Sequence, residues 1–123
     1  MVDFIKHSQS EEDYLESILL IAETNPVVHR IDVARKMNVS QAAVNKAVKI
    51  LLEKGFVYED GKHIFLSEEG KGYAKSVFER HCTIRNFLLS LGVSEQTAEE
   101  DACHTEHLLS DETVAAMKAR LGR

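Results

Sequence analysis

The stretch Ile31-Asp32-Val33-Ala34-Arg35-Lys36-Met37-Asn38-Val39-Ser40-Gln41-Ala42-Ala43-Val44 decides the fold. Apolar residues at helical spacing predict a short helix over Arg30 to Met37, and Asn38 suits the left-handed position that ends one. Ser40 is a good N-cap for a following helix, whose buried side is Val44, Ala47, Val48, Leu51 and Leu52 and which Gly55 closes. Small Ala34 permits two helices to cross closely, Asn38 turns the chain, and Val44 anchors the second helix. That is the pattern of a helix-turn-helix.

The residues after Gly55 strengthen this assignment. Phe56-Val57-Tyr58 and His63-Ile64-Phe65-Leu66 flank Glu59-Asp60-Gly61-Lys62, which predicts a hairpin with Asp-Gly at its tip. A helix-turn-helix joined directly to a hairpin is a winged helix. Ahead of it, Ser10-Glu11-Glu12-Asp13 reads as the capped start of a first helix with Tyr14, Leu15, Ile18, Leu19, Ile21 and Ala22 on its apolar face, ended by Asn25-Pro26. Beyond the wing, a long helix runs from Ser67 to about Leu91 on the stripe Tyr73, Val77, His81, Ile84, Leu88 and Leu91. A fifth runs from Ser94 through Leu109, and a sixth starts after Ser110 with Val114, Met117 and Leu121. The expected class is mainly α: a winged helix-turn-helix DNA-binding domain over residues 1–72 and a helical metal-binding and dimerisation domain over residues 73–123. A long fourth helix outruns a small DNA-binding domain and suits a dimer interface.

Charge narrows the function. The chain of 123 residues carries a net charge of −5, which by itself argues against nucleic acid. Between Val27 and Gly55, however, Arg30, Arg35, Lys36, Lys46, Lys49 and Lys54 outweigh Asp32 and Glu53. Only this part looks built for phosphate. No apolar run approaches the roughly 20 residues of a membrane span. The opening Met1-Val2-Asp3-Phe4-Ile5-Lys6-His7 lacks a signal-peptide pattern, so a cytoplasmic location without membrane contact is expected. Cys82 and Cys103 are then expected to stay reduced.

The last third carries different chemistry. From Asn86 to Met117 there is no Lys or Arg, but Glu95, Glu99, Glu100, Asp101, Glu106, Asp111 and Glu112 are present, so the negative charge lacks a partner within that segment. On a continuous helix Cys103, Glu106 and His107 stand at i, i+3 and i+4 and bring a thiol, a carboxylate and an imidazole to one face. Those are metal-ligand types. Taken alone, Cys103 reads as a small core residue, His81 as a hydrogen-bonded core histidine, and Asp13 as part of the cap at Ser10.

Glu12-Asp13-Tyr14-Leu15-Glu16, Arg80-His81 and Ala102-Cys103-His104-Thr105-Glu106-His107-Leu108-Leu109-Ser110-Asp111-Glu112, read together, resemble the diphtheria-toxin-repressor family of iron- and manganese-dependent transcriptional regulators. The resemblance runs from about Ser10 to Leu121 and implies a homodimer of winged helices that binds an operator in double-stranded DNA with a divalent metal as co-repressor. Iron-type members often add a C-terminal SH3-like domain; the likeness here is to the shorter, manganese-regulator layout. It implies metal ligands at Asp13 and Glu16, as in manganese-type members, where iron-type members put methionine in place of Asp13. It implies a ligand at His81 and, as in iron-type members, at Cys103, where manganese-type members use glutamate. Glu106 and His107 match both. The set is a hybrid of hard and soft donors, so Fe(II) and Mn(II) lead and Zn(II) or Co(II) are also accommodated. For the ancillary iron-type site, His81 fits, but Arg85 and Glu99 stand where a glutamate and a second histidine belong, leaving Glu99 as a candidate for a second ion.

By this resemblance Gln41 and Asn45 read base edges from the third helix, Ala42 and Ala43 allow close approach, and Ser40 lies at the same surface. Arg35, Lys46 and Lys49 hold phosphates, and Lys62 on the wing adds a contact. Without metal, Asp13, Glu16, Glu106 and the Cys103 thiolate are expected to repel, leaving the first helix undocked. A metal-independent winged-helix dimer and a small metalloenzyme are the alternatives. Neither a Gly-rich phosphate loop nor a Ser-His-Asp set supports the enzyme.

Overall fold

The computed structural model describes residues 2–122. Helix α1 covers Val2–Thr24, strand β1 Val28–His29, α2 Arg30–Met37, α3 Gln41–Glu53, β2 Val57–Asp60, β3 His63–Leu66, α4 Glu68–Ser90, α5 Glu95–Thr105 and α6 Asp111–Leu121. The mainly α class and the winged helix-turn-helix both stand.

The turn forms as the residue types require. Asn38 adopts φ 56° and ψ 50°, and its N–H bonds back to the Ala34 and Arg35 carbonyls. Ser40 Oγ accepts from Ala43 N at 3.1 Å, so that hydroxyl is engaged in capping α3. Val33, Ala34, Val44 and Val48 bury the crossing of α2 and α3 against Leu15 and Ile18 of α1. Leu51, Val57, Ile64 and Leu66 extend that core beneath the wing. A second, smaller core gathers Ile84, Ala102 and Val114 with Leu88, Leu109 and Met117 packed on it.

Several expectations need correction. Helix α1 begins at Val2, so Ser10 lies within it and does not cap it; residues 2–9 contain no Gly or Pro to stop the backbone earlier. Ala22 is exposed beyond the buried stripe, as is Leu91 at 66%. The sheet has a third strand: β1 pairs antiparallel with β3, placing His29 opposite His63. Two residues are too short to show an alternating pattern. In the wing, Asp60 still pairs with His63, so the loop is Gly61-Lys62 rather than Asp-Gly. Positive φ at Gly61 alone matches a type II′ turn, in which glycine supplies the first central position. Finally, α5 stops at Thr105, four residues short of Leu109.

Gly70 fixes how α4 leaves the wing. The Phe56 carbonyl accepts from Ser67 N at 3.0 Å, and a Cβ on Gly70 would overlap that same carbonyl. Neither backbone can retreat without losing the bond. Gly70→Ala is therefore expected to destabilise the protein by about 1–3 kcal/mol, the usual cost of overpacking, with urea unfolding as the measurement. Gly72→Ala, with nothing within 4 Å of the new methyl, serves as the comparison and should be neutral or stabilising.

Candidate metal centre and nucleic-acid surface

Polar side chains converge where α1, α4 and the end of α5 meet. Helix α1 offers Asp13 and Glu16 one turn apart, α4 offers His81 from its apolar stripe, and Cys103 sits in the last turn of α5. Glu106 caps that helix, and His107 lies in the turn before α6. Among the described residues three donor groups result, each with its ligand atoms within 4.8 Å of one another: Asp13, Glu106 and His107; Glu16, His81 and Glu106; and His81, Glu99 and Cys103. Glu106 belongs to the first two and His81 to the last two. All six expected ligands and Glu99 are thus at one junction, but in adjoining groups. Because the helix ends at Thr105, Cys103 joins His81 and Glu99 instead of sharing a group with His107.

The geometry is tight, and Glu106, His81 and His107 are buried at its centre while Cys103 and Glu99 lie at an exposed edge. Glu106 is 1% exposed and contacts His81 Nδ1 at 2.8 Å and, through its other oxygen, His107 Nε2 at 3.1 Å. Asp13 Oδ1 lies 2.9 Å from His107 Nε2, and Glu12 Oε1 lies 2.6 Å from His107 Nδ1. Glu99 reaches His81 Nε2 at 2.8 Å, and Cys103 Sγ approaches His81 Nδ1 at 3.9 Å. Glu16 Oε2 is buried without a hydrogen-bond partner among the described residues. An orphaned carboxylate oxygen beside an imidazole and a second carboxylate is what a cation would satisfy, so the residues fit a divalent ion.

The carboxylates and imidazoles shift one another's proton affinities. Hydrogen bonding to Glu106, against the opposing effect of burial, raises His81 to about 9. Burial works to lower His107, but bonds to Asp13, Glu106 and Glu12 outweigh it and lift it to about 11. Each imidazole thus gains proton affinity from the carboxylates that face it. Glu106 is pulled down: burial opposes its charge, yet the two histidines prevail. Burial first, then the Glu106 charge, pushes Glu16 up to about 7. Burial and the surrounding carboxylates push Cys103 up to about 11.

Arg80 carries a role that its place in the sequence does not announce. Its Nε donates to the Glu106 carbonyl at 2.9 Å, one terminal nitrogen to the Leu109 carbonyl, and the other to Asp111 Oδ1 at 2.7 Å. This guanidinium clamps the turn that carries Glu106 and His107. With Arg85 at 3.8 Å from Glu99, it also answers part of the acidic charge from another helix. Glu12 is the other residue whose role spacing does not reveal; as the neighbour of Asp13 it reads as one more acid in a helix's first turn. Cys82 is half-buried and His104 exposed.

The opposite end of the molecule presents α3. Gln41, Ala42, Asn45, Lys46 and Lys49 are exposed, Ala43 is half-buried, and Arg35 of α2 and Lys62 of the wing are exposed too. Arg30 is tied to Glu59 at 2.7 Å and Lys54 to Glu11 at 2.5 Å. Arg35, Lys36, Lys46 and Lys49 form no ion pair among the described residues, which concentrates uncompensated positive charge along α2 and α3. No helix among the described residues is long and apolar enough to cross a membrane.

Two family models match successive parts of the chain. Residues 6–64 match the model of the iron-dependent repressor N-terminal DNA-binding domain, and residues 67–123 match its metal-binding and dimerisation domain. A transcriptional regulator of helix-turn-helix type from Methanocaldococcus jannaschii is 43% identical, with 90% of this chain aligned to 91% of that one. The transcriptional regulator MntR of Salmonella typhimurium is 40% identical, over 88% of this chain and 69% of its own. Among solved structures, a manganese-dependent transcriptional repressor in complex with manganese superposes with a TM-score of 0.84 at 28% identity over 91% of this chain. The chain spans about half, 52%, of that structure's length.

Proposed function

The chain belongs to the iron-dependent repressor family of metal-dependent, DNA-binding transcriptional repressors, and on that premise we propose that its own metal response is carried by Asp13, Glu16, His81, Cys103, Glu106 and His107. The single observation that carries this is Glu106, buried between two histidines from different elements with the orphaned Glu16 oxygen beside them. A bound divalent ion, Fe(II) or Mn(II) foremost with Zn(II) or Co(II) also suited, would supply fixed positive charge and Lewis-acid coordination among these carboxylates and imidazoles. Asp13, Glu106 and His107 form one position, and Glu16 and His81 share Glu106 with it. Glu99 and Cys103 with His81 offer a softer second position, which Arg85 competes for by pairing with Glu99.

These donors come from three helices, so they converge only while α1 stays docked on α4 and the α5–α6 turn. Ligation to that arrangement shifts the population towards it. Helix α1 also packs on α2 and α3, and Glu11 holds Lys54 at the end of α3. Docking α1 therefore fixes the reading helix relative to α4.

We assign residues 1–72 to DNA binding and 73–123 to metal binding and dimerisation. The smaller core has only three buried side chains, and Leu91, Leu108 and Leu121 are exposed around it, which supports a homodimer that buries them. Two copies present two α3 helices for half-sites about one DNA turn, roughly 34 Å, apart. Gln41 and Asn45 read bases, Ala42 and Ala43 let the helix approach, and Arg35, Lys46, Lys49 and Lys62 hold phosphates. Ser40 contributes at this surface by capping the helix. The partner is an operator in double-stranded DNA, the location cytoplasmic, and no turnover of a substrate is involved.

One observation favours a second reading. His107 ties α1 to the α5–α6 turn through Glu12 and Asp13, a docking that a metal-independent winged-helix dimer would need. Fluorescence anisotropy on mixed-sequence DNA at fixed salt separates the two, with chelator and then with Mn(II), Fe(II) under anaerobic conditions, Zn(II) and Co(II). The expected result is tightening by about 5- to 150-fold with metal, the usual size of such coupling, blunted in Cys103→Ala for the ion that uses the thiol. Tight binding that chelator leaves untouched would establish the metal-independent reading.

A further inference from the structure

Glu12 lies outside all three donor groups, yet it makes the shortest contact that His107 has. Its Oε1 sits 2.6 Å from Nδ1, while Asp13 and Glu106 both face Nε2, at 2.9 and 3.1 Å. The ring is therefore divided: one nitrogen towards the candidate ligands, the other towards Glu12. The other oxygen of Glu12 accepts from the Tyr73 hydroxyl of α4 at 3.1 Å, which fixes the carboxylate itself. Burial, with the charges of Glu12 and Glu11, raises Tyr73, so its hydroxyl remains a donor. The His107 side chain is 1% exposed, leaving water little room to replace either bond.

We infer that Glu12 is a positioning residue, which takes the Nδ1 proton of His107 in a hydrogen bond and so presents Nε2, unprotonated when an ion is bound, to the metal position. This deepens the proposed metal response and rests on it for the ligand role of His107. A ligating imidazole whose other N–H is held by a carboxylate is fixed in tautomer and orientation and made more basic. Consecutive residues of α1 then have separate roles, Asp13 as a ligand and Glu12 as the partner of a ligand. Tyr73 ties the pair back to α4. Losing the α1 docking would cost the site Asp13 and Glu16 and free the His107 ring at once.

The test compares wild type, Glu12→Ala and Glu12→Gln by two measurements. In chelated protein, nitrogen-15 NMR of the His107 ring reports the Nδ1–H bond with no ion present. Zinc affinity is measured by chelator competition. Glu12→Ala is expected to lose the protected Nδ1 proton signal and to bind Zn(II) about 10- to 100-fold more weakly, the usual effect of an outer partner. Glu12→Gln keeps an acceptor oxygen and should fall between, which decides the matter even if Glu12→Ala folds poorly. If the wild-type His107 ring responds to Zn(II) while the variants keep wild-type affinity and an unchanged Nδ1 signal, the role of Glu12 is overturned and the ligand assignment survives. If the wild-type ring is indifferent to Zn(II), the ligand assignment fails and the inference about Glu12 fails with it.

Discussion

Glu106→Gln is expected to abolish the metal response. The substitution keeps the shape of the side chain and removes the charge shared by two donor groups. Metal affinity should fall by at least about 100-fold, since even outer partners of a site are worth 10- to 100-fold. The tightening of DNA binding by metal, about 5- to 150-fold in a linkage of ordinary strength, should shrink to nothing. Stability should also fall. Glu106 is 1% exposed and accepts from both His81 and His107, and removing one partner of a buried pair costs about 3–5 kcal/mol when the other must stay charged. Here the histidines can release their protons, so the loss should sit at the lower end, be largest below about pH 6.5 and shrink as pH rises through about 9 for His81 and about 11 for His107. Chelator competition with the metal, anisotropy on DNA and urea unfolding check the three parts. A variant that still tightens on DNA when metal is added would remove Glu106 from the site.

Removing Gln41 and Asn45 together, each to Ala, is expected to erase sequence preference while sparing general DNA affinity. Both are exposed on α3, so stability should change little. A good bidentate contact to a base is worth about 1–3 kcal/mol. The pair should then cost about 2–6 kcal/mol on the best sequence, or roughly 30- to 10,000-fold. Arg35, Lys46, Lys49 and Lys62 remain, so the dependence of log affinity on log salt should keep its slope, because that slope counts neutralised phosphates. A selected sequence and a scrambled one, compared across a salt series, separate the outcomes. Equal discrimination before and after the substitutions would place base recognition elsewhere.

Much of the architecture was legible because it is locally encoded. Ala34, Asn38, Ser40 and Val44 each answer a steric or hydrogen-bonding demand within a few residues, and the backbone obeys all four. Strand β1 escaped because Val28-His29 becomes a strand only through β3, which lies far along the chain. The metal-ligand types were readable as types, but their grouping was not. Spacing placed Cys103 with Glu106 and His107 on a continuous helix. The helix stops at Thr105, after which Arg80 binds the Glu106 and Leu109 carbonyls and holds the turn in place. Charge state was the least legible quantity. Whether Cys103 is a thiolate depends on Glu106 and Glu99 beside it in space and on its burial, and no spacing rule contains that. Glu12 passed unnoticed because an acid in a run of acids has a sufficient local explanation.

Helix α4 runs unbroken from Glu68 to Ser90, so the wing that leads into it and His81 are joined by one rod. A rod of this kind has a phase as well as a length. Inserting or deleting a single residue would turn everything beyond it by about 100° and shift it by about 1.5 Å. His81 would then face away from Glu106, and the two reading helices of a dimer would fall out of step with the turns of the double helix. Side chains along α4 are free to vary wherever they face water, but its residue count is not: the helix acts as a gear cut to one number of teeth.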